Sequence, residues 1–336
     1  MIGVTGAGPW PGTDPLEAQK AVLGELGSPP EGVIGLPFAV VLAARGPWSD
    51  LVGRALGLLV DLPVELGPHG WRLTGRPGTD VTRARAFLRD DLDVLAVAAH
   101  GWTGPLVVPV AGPVTAAATA DLARGERVLS DPGALRDVAD SLAAGLADHL
   151  AAVVRAVPGA QPHVLLHEPL LAAAVEAKVA TFSGRATLRA VPVQVAGERL
   201  ATVVAGARAA GAAGVAVHAG TSLVGLAAVT AAGADAVAVQ VAGIDASGWE
   251  QLAGAVEAGT ALWAQLAPVP RAPGSSGDVL AHADQLMRPW SRVGLRLADL
   301  DRVVLVTGGG SDPAAARTAL ADTMHAASVV AERASG

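Results

Sequence analysis

The sequence predicts a single (β/α)8 barrel. Eight short apolar runs alternate with Ala/Leu-rich helical patterns along the whole chain. Most of these runs are continuous Val, Ala and Leu, as expected for parallel strands covered on both faces. A doubly wound parallel sheet shares both features and is the alternative. The length of 336 residues suits one large barrel with insertions, so residues 1–336 read as one domain.

The strands are expected at Gly3–Thr5, Phe38–Ala43, Leu106–Ala111, His163–Glu168, Gly214–Ala219, Ala236–Val241, Thr260–Leu266 and Arg302–Thr307. Helices are expected at Asp14–Leu26, Asp50–Leu59, Asp80–Val97, Pro132–Ala156, Glu198–Ala210, Ser222–Ala232, Trp249–Ala258, Gly277–Arg292 and Pro313–Arg333. The segment 64–78, with its GWRLTG stretch, reads as a small hairpin inserted after the second strand. RAPGSSGD, 271–278, reads as a loop and not as a domain boundary.

Composition removes several classes of function. There is no cysteine, which excludes disulfides, thiol nucleophiles and thiolate metal sites. The net charge is −7 with no basic run, so neither nucleic acid nor an anionic membrane is an expected partner. No uninterrupted apolar run reaches the roughly 20 residues of a membrane span. The first residues, MIGVTGAGPWPGTDP, lack the basic start and apolar core of a signal peptide, and a cytoplasmic location is expected. The lysines are Lys20 and Lys178, and neither closes a strand, which disfavours Schiff-base chemistry. The oligomeric state is not legible.

Candidate functional residues come from the strand ends, because the C-terminal face of a barrel carries its active site. VLLHEPLL delivers His167 and Glu168 to the end of the fourth strand, where Pro169 stops it. Alternation points one of the pair toward the axis and the other away. The plainer reading makes His167 a packed polar residue and Glu168 a local cap. The first strand opens into a loop with Trp10 and Asp14, and the second ends at Arg45. Thr115 follows the third strand, placed to cap the next helix. His218 closes the fifth strand and Gln240 the sixth, while the seventh carries Trp263 and Gln265. The eighth opens into TGGGSDP, where Gly308, Gly309 and Ser311 precede a helix N-terminus that favours anions. That loop reads equally well as a turn with Ser311 or Asp312 as the helix cap. A small molecule in the barrel mouth is the expected ligand.

The motifs, taken together and in order, resemble the catalytic C-terminal barrel of the cobalamin-independent methionine synthase family, within the superfamily that also holds uroporphyrinogen decarboxylase. GAGPWPGTD is similar to that family's opening Gly-Ser-aromatic-Pro loop, and PVAGPVT to its Thr-Gly-Pro-Val-Thr strand end. LLHEPLL is similar to Ile-Asp-Glu-Pro-Ala-Leu, and VAVHAGTS to the strand bearing His-Met-Cys. ADAVAVQ is similar to a strand ending in Glu, and RTALADTMHAASVV to the final helix. The resemblance implies methyl transfer from methyltetrahydrofolate to the homocysteine thiol, with zinc holding the thiol as thiolate. It implies zinc ligands at His218, Gly220, Gln240 and within Gly308–Gly310, and only the histidine is retained. One imidazole does not make a four-coordinate zinc site, so no tightly bound zinc is expected. The family's Asp-Glu-Pro aspartate falls on His167 with Glu168 kept, and a family glutamate falls on Arg45. The family's folate-stacking tryptophan has no counterpart in AAATAD. Three readings follow: a divergent methyltransferase with altered or lost activity, a ligand-binding pseudoenzyme, and a lyase or decarboxylase on an anionic substrate. The last would use His167, Glu168 and His218 as acid–base groups.

Overall fold

The computed structural model describes residues 1–269 and 278–335; the expected 271–278 loop, apart from Asp278, lies outside the described residues. In chain order the strands are β1 (Ile2–Gly6), β2 (Val33–Gly35), β3 (Val64–Gly67), β4 (Gly70–Leu73), β5 (Thr103–Ala111), β6 (Gly159–His167), β7 (Gly214–His218), β8 (Ala236–Gln240), β9 (Ala261–Gln265) and β10 (Val304–Thr307). The α-helices are α1 (Pro15–Leu26), α2 (Leu51–Leu58), α3 (Thr79–Ala98), α4 (Pro113–Thr119), α5 (Pro132–Ala156), α6 (Leu171–Val175), α7 (Val193–Ala209), α8 (Leu226–Ala231), α9 (Ala246–Glu257), α10 (Val279–Arg292) and α11 (Pro313–Ser335).

Eight of the strands form one parallel sheet in the order β2-β1-β10-β9-β8-β7-β6-β5, and β3 and β4 form the expected hairpin. The sheet curls until its two edges meet. Phe38, just beyond β2, bridges Val107 of β5 in parallel register. The Val107 N–H donates to the Pro37 carbonyl at 2.7 Å, and the Ala39 N–H to the Val107 carbonyl at 2.9 Å. The result is an α/β (β/α)8 barrel. Val164, Leu165 and Leu166 of β6 are all fully buried, because the barrel interior covers one face and the helices the other.

Local chemistry sets the helix starts. Asp14, Asp50, Asp131, Asp245 and Asp278 each accept a backbone N–H from the first turn of the helix they precede. Such a cap contributes about 1 kcal/mol.

The second strand differs from expectation. Pairing runs over Val33–Gly35, and residues 38–41 switch partners. The Ala39 N–H donates to Val107 of β5, while the Val41 N–H donates to the Gly8 carbonyl and the Val41 carbonyl accepts the Trp10 N–H. Ala43–Arg45 is a turn of 3-10 helix. The three-residue run Val33–Gly35, soon followed by Pro37, is too short to show a strand period, so the longer apolar stretch behind it reads as the strand instead. Helices α4 and α6 are also additions to the expected set. The residues Pro113–Ala118 are all buried, so PVTAAAT has no polar face to reveal a helical period.

Candidate functional site

Register brings the two strand-end histidines together. His167 of β6 pairs in register with His218 of β7, and their rings lie 5.2 Å apart. Paired residues of adjacent strands face the same side of a sheet. His218 Nε2 then reaches Gln265 Oε1 of β9 at 2.8 Å. Strand β8 lies between β7 and β9, and its residue in register with His218 is Ala238. Side chains two strands apart meet across the concave interior of a barrel, and the small Ala238 leaves the room.

The Gly220 N–H faces His218 Nδ1 at 3.3 Å, so Nδ1 accepts and Nε2 carries the proton donated to Gln265. Burial lowers the affinity of the His218 ring for a second proton, opposed by the Gln265 bond. His167 is more extreme. Burial first, and then the neighbouring His218, push it down to about 3, against a backbone interaction with Ala7 that raises it. Its Nε2 is buried with no hydrogen-bond partner. Both rings are therefore neutral near pH 7, and one buried ring nitrogen has bonding capacity to spare. Gln240 and Gln265, partners in register on β8 and β9, complete an uncharged polar rim.

Glu168 goes elsewhere, as alternation requires. Its carboxyl accepts the Val114 N–H at 2.9 Å, the Thr115 N–H at 2.7 Å and the Thr115 hydroxyl at 2.6 Å. The first two are free donors at the start of α4. Burial pushes this carboxyl up to about 7, with the three donated bonds pulling the other way. Thr115 is thus not the cap of the helix but lies inside it, and Glu168 is the cap. Gly112 packs directly on the carboxyl, where a Cβ would overlap Glu168 Oε1. Gly112→Ala should therefore displace the clamped carboxyl and cost about 2–4 kcal/mol, readable by urea denaturation. Wild-type stability in this variant would show that the carboxyl moves aside freely.

The other expected site residues disperse. Trp10 is buried with its ring 6.2 Å from that of Phe38. Asp14 is exposed and spent on capping α1. Arg45 stacks over Phe87 and bonds Asp91 of α3 at 2.8 Å, so its charge is bound to the helical layer. In the loop after β10, the Gly309 N–H reaches Thr307 Oγ1, and the Ser311 hydroxyl donates to Asp312. Asp312 accepts the Ala315 N–H, so its carboxylate takes the helix N-terminus that an external anion would use, while Gly308 packs against the Leu266 carbonyl and Pro268. Gln265 gains a role that its position at a strand end does not announce. The available signal is a polar residue closing an apolar strand beside Gln240.

The residues present do not fit a zinc ion. Both nitrogens of His218 are engaged, and among the described residues no group of three or more His, Asp or Glu comes together to hold a metal.

In three dimensions the chain is similar to a B12-independent methionine synthase from Shewanella sp. W3-18-1, solved in complex with selenomethionine. The TM-score is 0.58 at 11% identity, and the match covers 98% of each chain. At that identity the likeness speaks for the fold alone. A 2,3-dimethylmalate lyase of the PEP mutase/isocitrate lyase superfamily aligns with a TM-score of 0.36 at 13% identity, over 94% of this chain and 77% of its own. No protein-family model matches the sequence, and no curated protein does. Among the described residues, no helix is long and apolar enough to cross a membrane.

Proposed function

We propose that this chain is a divergent relative of the cobalamin-independent methionine synthases that binds a small molecule in its barrel mouth without zinc. Methyl transfer from methyltetrahydrofolate to homocysteine is absent or very slow in it. The observation that carries the reading is the His167–His218–Gln265 arrangement. The one retained ligand position, His218, is locked into a hydrogen-bonded neutral tautomer. The free thiol would then have to react with a pKa of about 8.5 and little thiolate at pH 7. What the mouth offers instead is an acceptor or donor at His167 Nε2, two amide side chains and no net charge. A lyase acting on an anion has less support, because Arg45 is tied to Asp91 and Asp312 fills the loop.

The test is a methyl-transfer assay on the wild-type protein with and without added zinc, beside elemental analysis. Turnover at background, unchanged by zinc, is the expected outcome. Robust turnover that disappears in His218→Ala, together with about one tightly held zinc per chain, would overturn the proposal.

A further inference from the structure

A cavity lies away from the barrel mouth, in the helical layer. It has a volume of about 520 Å³ and opens between α2, α3 and α5. That size falls in the roughly 300–1,000 Å³ range of small-molecule sites. Its walls are apolar, with Leu58 from the end of α2, Leu62 from the following loop, and Leu88 and Leu92 from α3. Four charged residues also line it: Arg85, Arg89, Asp61 and Asp148, two of each sign. Arg85 is occupied, donating to the Gly57 and Leu59 carbonyls. The four wall charges sum to zero, so the sign of the site is set from below.

Below the apolar walls sits His149 of α5, 8% exposed, which also lines the small cavity behind, shared with Arg54 and Asp91. Burial and the Arg54 charge, outweighing Asp91, hold the imidazole at about 3, so it is neutral. Its interactions are those charges, with no hydrogen bond to a described residue. Behind it, Arg45 and Arg54 share the single carboxylate of Asp91. One positive charge is left over in a place where the three side chains are between 7% and 11% exposed. Asp91 Oδ1 and Arg45 Nε have no partner there. An unpartnered imidazole backed by surplus positive charge favours a group that accepts a hydrogen bond and carries negative charge.

We infer that this cavity binds a small amphipathic carboxylate, its apolar tail between Leu58, Leu62, Leu88 and Leu92 and its carboxylate on the His149 ring. The site is separate from the His167–His218 mouth, and nothing in the proposed function depends on it.

Isothermal titration calorimetry with decanoate and with decanol tests this. Decanoate should bind at one site, and decanol, with the same tail and no carboxylate, at least about tenfold more weakly, the worth of one charge-assisted hydrogen bond. His149→Phe should bring decanoate down to the affinity of decanol. Leu92→Trp, at a half-buried wall position, should remove both. Decanoate binding should survive His218→Ala, which separates this cavity from the mouth. Thermal unfolding confirms that each variant is folded, and His149→Gln replaces His149→Phe if the latter is not. Equal affinity for decanoate and decanol would overturn the inference. So would binding that persists in Leu92→Trp, binding indifferent to His149, or no decanoate binding at millimolar concentration.

Discussion

Glu168→Ala is expected to lower the stability of the protein by about 3–5 kcal/mol. The carboxyl is fully buried and satisfies two backbone N–H groups at the start of α4 and the Thr115 hydroxyl. Truncation leaves three buried donors without an acceptor and a cavity beside Gly112. Chemical denaturation at fixed pH reads the loss directly. A change below about 1 kcal/mol would mean that water or a neighbouring carbonyl replaces the carboxyl, and the capping role would be wrong.

The same residue gives a pH dependence with a definite sign. Its carboxyl is raised from 4.5 to about 7, so the folded state holds a proton that the unfolded state has already released. This contribution is fully present below about pH 4.5 and is lost as the pH rises through about 7. It amounts to about 3 kcal/mol over that window. The stability difference between wild type and Glu168→Gln, which cannot titrate, should therefore shift in favour of Gln as the pH rises from 4.5 to 7. A difference that is flat across that window would show a carboxylate kept ionised throughout by the α4 donors.

Asp91→Ala is expected to cost a similar amount, about 3–5 kcal/mol, for a different reason. Asp91 is the one carboxylate bonded to both Arg45 and Arg54. Removing it strands two buried guanidinium groups against each other. Arg54→Met should be far milder, within about 1 kcal/mol of wild type, because it leaves the Arg45–Asp91 pair intact and removes the surplus charge. Thermal and urea unfolding of the two variants decide the matter. If Arg54→Met costs as much as Asp91→Ala, the cluster is balanced by something other than Asp91, and the charge argument for the His149 cavity weakens with it.

The amino-acid sequence by itself determined the alternation of buried parallel strands with helices, and the ends of all the sheet strands but the second. Continuous Val, Ala and Leu runs place the ends of β5 to β10 to within about one residue, and Asp14 and Asp50 mark the starts of α1 and α2. These signals act within one or two turns of chain, so they survive in any context. His167 and His218 are legible as strand-end residues for the same reason, and so is the opposed facing of His167 and Glu168.

The tertiary structure alone decided the partners. Closure of the barrel at Phe38 and Val107 displaced the second strand from its expected place. Register set His167 beside His218, and curvature let His218 reach Gln265 over Ala238. Glu168 found its donors more than fifty residues earlier in the chain, at a helix too apolar to show a period. Arg45 turned to Asp91, 46 residues away, because a buried guanidinium needs a carboxylate more than a rim position needs a cation. Short-range propensity records where a side chain leaves the backbone. Which group it meets depends on how all eight strands close, and no local stretch of sequence carries that.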